Sequence, residues 1–217
     1  MTRVVNRVLT KKSELKYIVA GSEDASLYHN RGTVAAGALT TNQGASVFNP
    51  WAFIAQGTTS SQRVGSEIMP RGMSVRLHYV PSEDRMTQHL RVIVCTIPKV
   101  SNAVVSDGSN FNLFDAGVSN NTLCSFRKDD NNIKIMYDKV FSMRAVPFGT
   151  TTTGVSRFFK KFFIRRKRSS KIIYERTNEI INKPLAIYVI PYDRYPAVRT
   201  DVLGRLDLFY KLYFRDI

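Results

Sequence analysis

Residues 157–175 read RFFKKFFIRRKRSSKIIYE, and the backbone they adopt decides the fold. From Arg157 to Lys171 the stretch holds eight positive charges and no negative one: Arg157, Lys160, Lys161, Arg165, Arg166, Lys167, Arg168 and Lys171. Phe158, Phe159, Phe162 and Phe163 are threaded among them. A disordered basic tail is poor in aromatics, so this charge belongs to a folded, half-buried element. Two periods compete for it. The phenylalanines fall at i, i+1, i+4 and i+5, a helical stripe that would make a basic amphipathic helix suited to a membrane surface. The KIIYE run across a short polar turn favours two strands and a β-hairpin instead. Either way, a wall that repels itself this strongly calls for an anionic partner.

The rest of the chain favours strands. Eight runs rich in Val, Ile, Tyr and Phe are each bounded by Gly, Pro, Asn, Asp or Ser. They cover Glu14 to Ala20, Ser74 to Val80, His89 to Ile97, Lys134 to Met143, Val155 to Ile164, Lys171 to Glu175, Pro184 to Ile190 and Arg205 to Arg215. Several alternate. Val75, Leu77 and Tyr79 share one face, against Arg76, His78 and Val80. Leu206, Leu208, Tyr210 and Leu212 oppose Asp207, Phe209, Lys211 and Tyr213. No regular helical crossover separates the runs, which argues against a parallel α/β sheet. An all-β antiparallel sandwich or barrel is expected, in one domain over 14–217 behind a short basic arm over 1–13. Two long connections, Gly21 to Gly72 and Pro98 to Ile133, are the expected carriers of function.

The 217 residues carry 32 Lys and Arg against 17 Asp and Glu, a net +15. Residues 1–16 hold +4 of this and 157–171 hold +8, so the charge is clustered and the remainder nearly balanced. Clustering favours a defined polyanion footprint. Its candidate residues are Arg3, Arg7, Lys11, Lys12 and Lys16 in and beside the arm, with Arg157, Lys160, Lys161, Arg165, Arg166, Lys167, Arg168 and Lys171. No apolar run approaches 18 residues, so membrane insertion is not expected. The N-terminal stretch lacks an apolar signal core, so export by a standard signal is not expected either.

Catalytic and metal patterns are not found. His29, His78 and His89 have no metal-pair spacing. There is no G-x-G-x-x-G, no phosphate loop and no G-x-S-x-G elbow; GTTTTG at 149–154 is a polar loop. Cys95 reads as a buried small hydrophobe inside LRVIVCTIP, and with Cys124 makes neither a zinc pattern nor a disulfide framework. Glu23 and Asp24, Glu83 and Asp84, and Asp129 and Asp130 read as solvated turns. Asp138 and Asp216, each beside a basic residue, are expected to pair with a neighbouring strand or subunit. Neither an enzyme nor a cofactor is expected. Phe48, Trp51 and Phe53 in one long connection, and Phe111 and Phe114 in the other, either anchor a subunit interface or fold back over the core.

Five phrases carry a resemblance: ELKY at 14–17, IAQGTTSSQRVGSEI at 54–68, MYDKVFSM at 136–143, FFKKFFIRRKRSSKIIY at 158–174 and LFYKLYFRDI at 208–217. In this order and spacing the sequence resembles the capsid proteins of circovirus-like viruses, whose circular single-stranded DNA encodes a replication initiator. The resemblance spans nearly all the chain from Glu14. It implies a jelly roll of two four-stranded antiparallel sheets, BIDG and CHEF, with the eight runs as strands B to I in order. It implies self-assembly into a T=1 shell of sixty copies around a circular single-stranded DNA genome. The location implied is the virion, and the host nucleus during assembly. The basic arm here is shorter than is usual in that family, so the 157–171 wall is expected to take more of the packaging. The same charge also suits a sulfated glycan or cell-surface receptor. A non-assembling single-strand-binding β-barrel is the alternative. Phosphates need only Lys and Arg, and single-stranded DNA would add stacking on aromatics.

Overall fold

The computed structural model describes residues 14–28, 45–48, 50–82, 87–96, 134–144, 157–166, 171–175, 180, 185–193 and 202–217. They form nine strands: β1 (Lys16–Tyr28), β2 (Ala45–Phe48), β3 (Glu67–Pro81), β4 (Thr87–Thr96), β5 (Lys134–Arg144), β6 (Phe158–Arg165), β7 (Ile172–Ile173), β8 (Leu185–Asp193) and β9 (Val202–Asp216). A single 3-10 turn covers Pro50–Phe53. All ladders between these strands are antiparallel. The first sheet runs β1-β9-β3-β6, with β7 also on β3, and the second runs β2-β8-β4-β5. Lettered along the chain, with β6 and β7 as one strand G, these orders are BIDG and CHEF. The fold is the expected jelly roll.

Besides β1, which runs on from Ala20 to Tyr28 through the start of the connection read from Gly21 to Gly72, three places differ from the sequence expectation. β2 lies within the connection read as an excursion from Gly21 to Gly72, and supplies strand C. At four residues it is too short to show a period. Every later strand up to G therefore moves one letter: Ser74–Val80 belongs to D, His89–Ile97 to E, and Lys134–Met143 to F. β6 and β7 do not pair as a hairpin. Both lie along the same edge of β3, β6 on Gly72 to Tyr79 and β7 on Glu67 and Ile68. Arg166 N–H to the Arg71 carbonyl and Tyr174 N–H to the Ser66 carbonyl continue that ladder. The third difference is the start of β3, seven residues before the run read from sequence. Pro70 and Gly72 look like breakers, but the register shift between them is a bulge, where a central strand tolerates proline.

The helical reading of 158–163 fails on period. β6 is extended, so its phenylalanines separate. Phe158 and Phe162 turn inward, where Phe162 stacks on Tyr137 of β5 at 4.1 Å between centroids and Phe158 meets Phe141. Phe159 and Phe163 point out.

The core lies between the sheets. Val75, Leu77 and Tyr79 of β3 and Leu206, Leu208, Tyr210 and Leu212 of β9 face Leu90, Val92 and Val94 of β4 and Ile187 and Val189 of β8. The alternation read from sequence is the alternation observed. Trp51 belongs to this core and is fully buried, so it folds back over the sandwich and is no exposed interface anchor. Cys95 is buried, and desolvation, helped by the nearby Asp138 carboxylate, pushes its thiol up to about 12.

Four of the five sequence phrases converge at one end of the sandwich. Lys16 donates to the Gln62 carbonyl at 2.9 Å and pairs with Asp216 at 2.8 Å. Asp216 also accepts the Val64 N–H at 3.2 Å. The guanidinium of Arg63, itself buried, lies 4.0 Å over the Tyr174 ring, and the Tyr174 hydroxyl donates to the Trp51 carbonyl at 2.8 Å. The QRVG phrase is thus a cap tied by two hydrogen bonds to the Lys16–Asp216 ion pair that joins β1 and β9, and to the core by the Arg63–Tyr174 cation–π contact. Asp138 pairs as expected with a neighbouring strand: Arg91 grips it through Nε at 3.0 Å and Nη2 at 2.9 Å.

Candidate nucleic-acid interface

The two sheets differ in exposure. β4 and β8 of the second sheet are buried on both faces: Ile93, Cys95, Tyr188 and Ile190 are covered, as are the core residues between them. The first sheet is buried on one face only. Antiparallel sheets commonly leave such a face to water, with polar residues on it. This one carries exposed aromatics as well.

Register arranges that face in rows across β1, β9, β3 and β6. Tyr17, Tyr213, Gly72 and Arg165 form one row; Val19, Lys211, Ser74 and Phe163 the next. Gly21, Phe209, Arg76 and Lys161 form the third; Asp207, His78 and Phe159 the fourth, where β1 bulges between Ser22 and Ala25. Rows stand about 6.8 Å apart and strands about 4.8 Å apart. Phe159 is 63% exposed, Phe163 57% and Tyr17 49%. An open groove of about 520 Å³ runs over the middle of the face, lined by Ser74, Arg76, His78, Phe159, Lys161 and Phe209 among others.

Beyond these rows lie the exposed Arg157 just before β6 and the Arg205–Asp24 ion pair; within them Arg76, Lys161, Arg165 and Lys211 give four cations against one carboxylate, Asp207. That carboxylate is already occupied. Asp24 N–H donates to its Oδ1 at 2.9 Å, and His78 Nδ1 meets its Oδ2 at 3.0 Å. Partial desolvation pushes the Asp207 carboxyl up. The Asp24 N–H and the His78 ring outweigh it, and the net shift is downward. Asp207 is therefore charged at neutral pH, and its charge is directed at His78 and the bulge.

The structure divides the basic residues expected to bind a polyanion. Arg157, Lys161 and Arg165 share the open face. Lys160 does not: it turns inward, with Nζ 5.4 Å over the Phe141 ring. Lys171 is exposed but pairs with Glu67 at 2.8 Å, and Lys16 is engaged with Asp216 and Gln62. Arg166 is buried beneath the sheet. Among the described residues its Nη1 reaches the Met136 sulfur at 3.6 Å, and Nε and Nη2 have no hydrogen-bond partner. Desolvation pushes that guanidinium's pKa down. Lys16, Lys160 and Arg166 are corrected on these grounds: alternation and ion pairing take them off the surface that density of charge alone would assign. Arg3, Arg7, Lys11, Lys12, Lys167 and Arg168 lie outside the described residues, as do Phe111 and Phe114. Phe48 closes β2 and Phe53 the 3-10 turn, and their side chains also lie outside the described part.

Arg166→Met is expected to leave stability unchanged or to raise it by about 1 kcal/mol, because the substitution removes a buried, unsatisfied charge and keeps the volume. Urea unfolding of the purified chain checks it. A loss beyond 2 kcal/mol would show that the guanidinium has a stabilising partner.

Arg76, Lys211 and Phe209 were not singled out as binding residues by sequence. Their signal was present in the alternation of β3 and β9, which puts them opposite the core residues. What sequence lacked was the strand order that sets them beside β6.

Among the described residues no three His, Cys, Asp or Glu side chains converge on a common point. His78 and His89 lie on different sheets, and His89 contacts Ser142 Oγ at 3.0 Å.

No protein-family model and no curated protein matches the sequence. Among solved structures, the VP1 of Trichodysplasia spinulosa-associated polyomavirus is similar at a TM-score of 0.28 and 8% identity, over 94% of this chain and 96% of that one. A likeness of that size bears no weight, and the jelly-roll assignment rests on the strand order.

Proposed function

We propose that this chain is a viral capsid subunit of the circovirus-like kind, which self-assembles into a T=1 shell of sixty copies and packages a circular single-stranded DNA genome. The open face of the first sheet is turned toward the cargo. One observation carries the reading: the four rows of that face hold four cations against one already paired carboxylate, while β4 and β8 of the other sheet are covered on both sides. Phosphate neutralisation by Lys and Arg is additive and needs no base readout, so the face suits a long polyanion whatever its sequence. The BIDG and CHEF strand order and the five phrases that resemble circovirus-like capsid proteins support the same reading. In this reading the protein's place is the virion, and the host nucleus during assembly.

The test is the size and content of the purified protein. Sixty copies of a 24.6 kDa chain make a particle of about 1.5 MDa. Light scattering and electron microscopy are expected to show such a particle, and extraction to release nuclease-protected single-stranded nucleic acid. A species that stays near the mass of one or two chains under all conditions sinks the shell. It would leave the same face to a non-assembling single-strand-binding module. Empty particles that bind heparin tightly would instead assign the charge to a cell-surface glycan.

A further inference from the structure

We propose that the open face of the first sheet is a base-stacking platform. Phe159 and Phe209 beside the groove, with Phe163 next to them, take unpaired nucleobases on their ring faces, and Arg76, Lys161 and Lys211 hold the intervening phosphates. This rests on the packaging reading and goes beyond it, because it assigns the aromatics a ligand and makes the face selective for strands with unpaired bases.

The first observation is the position of the rings. Side chains on a water-facing β-surface with no partner are normally polar, yet three phenylalanines sit here on one patch. The second is what lies under them. A Cβ built on Gly21 would come within 2.5 Å of the Phe209 ring, and one on Gly72 within 2.4 Å of the Phe163 ring. Each ring therefore occupies the space over a glycine in the adjacent strand. It is folded down onto the sheet backbone, which backs one side and leaves the other to solvent. Glycine is needed at both positions because any side chain would displace the ring.

The third observation is alternation of charge. On β6, Lys161 stands between Phe159 and Phe163; on β9, Lys211 stands between Phe209 and Tyr213, with Nζ 3.5 Å from the Tyr17 ring centroid. Arg76 lies in the same row as Phe209 and Lys161. Rings and cations thus interleave along the strands and across them. Single-strand binders combine these two elements: a cationic track for phosphates and aromatic faces for bases. A duplex hides its base faces, and a sulfated glycan has none. A second copy of the same face would oppose one excess of cations to another, so self-docking of this surface is disfavoured by charge.

The experiment uses the full chain, stripped of nucleic acid at high salt, with fluorescently labelled oligodeoxythymidine, oligodeoxyadenosine, a blunt duplex and heparin as probes. The wild type is expected to favour the single strands over the duplex. Phe159→Leu combined with Phe209→Leu keeps the apolar area and removes the π-faces. Base–aromatic stacking of ordinary strength predicts a loss of roughly tenfold or more for the single strands. Heparin affinity and the salt dependence are expected to stay within about twofold, since no phosphate contact is lost. Phe159→Trp is expected to retain single-strand binding, with the new indole quenched by oligonucleotide and not by heparin; the native Trp51 is buried and supplies a constant background. Equal loss of heparin and oligonucleotide binding, or no loss of either, overturns the platform. So does failure of the leucine variant to assemble with binding intact, which would make the face a contact between copies. In each case packaging by charge stands or falls separately, on the basic-residue variants described below.

Discussion

Trp51→Ala is expected to cost the fold about 3–5 kcal/mol, the range for truncating a fully buried large aromatic. Trp51 is wholly buried within the 3-10 turn Pro50–Phe53, and packs into the core between the sheets. Its carbonyl accepts the Tyr174 hydroxyl at 2.8 Å and the Ile54 N–H at 3.2 Å, so the ring and the backbone beneath it hold the cap together. Domains of this size are stable by only about 5–15 kcal/mol, so the loss is a large fraction of the total. Trp51→Phe is the control. The indole Nε1 is buried with no acceptor among the described residues, so its removal forfeits no hydrogen bond to them, and the cost should stay below about 1.5 kcal/mol. Urea denaturation of the unassembled chain measures both. If Trp51→Ala leaves the unfolding midpoint unchanged and blocks only assembly, the residue is an interface anchor after all.

Replacing Arg76, Arg157, Lys161 and Arg165 together with glutamine is expected to lower affinity for single-stranded oligonucleotide by two to three orders of magnitude at about 0.1 M salt. Each phosphate contact to a single strand contributes about 0.7 to the slope of log K against log salt, so four contacts should remove about 3. Replacing Lys160 and Lys171 serves as the comparison. Both lie in the same basic stretch, but one points inward and the other pairs with Glu67, so the slope should fall by less than one contact's share. Polarisation titrations across a salt series decide it. Similar losses from both sets would mean that charge density governs binding and the sheet face does not.

Much of the fold was legible because period 2 is visible wherever a strand has one wet face. Leu206, Leu208, Tyr210 and Leu212 declare their inner side, and the fold follows once eight such runs lie between turns. β2 was not legible: four residues cannot display a period, and its place comes from pairing with β8. The split of strand G was misread because KIIYE after a polar turn has the look of a hairpin partner. The ladder shows that β3 is long enough for both pieces to pair along one edge, so β6 needs no partner in β7. The site was half legible. Charge density pointed to 157–171, but density counts residues and a sheet presents only alternate ones. That is why Arg157, Lys161 and Arg165 reach the face while Lys160 and Arg166 do not. Trp51 was open between core and interface because its sequence neighbours look like any aromatic loop; its burial comes from residues distant in sequence, among them Tyr174, whose hydroxyl donates to its carbonyl.

The strand order has a consequence in time. Only β4 and β5, among all the paired strands, are consecutive in the chain; β1 pairs with β9, β2 with β8, and β3 with β6, β7 and β9. Ladders this long-ranged close slowly, because large loops must be ordered before any pairing rewards them. On a ribosome adding about 5–20 residues per second, β1 emerges on the order of ten seconds or more before β9 exists to receive it. Until then Phe209 and Lys211 have not been made and β1 has no partner beside it; the β3–β6 ladder, with Arg76, Lys161 and Phe159, is the part of this sheet that can form first. The nascent chain can thus display the β3–β6 part of the cationic face before the β9 part. The surface is completed when the final strand inserts between β1 and β3, adding Phe209 and Lys211 to the β3–β6 half and joining it to β1.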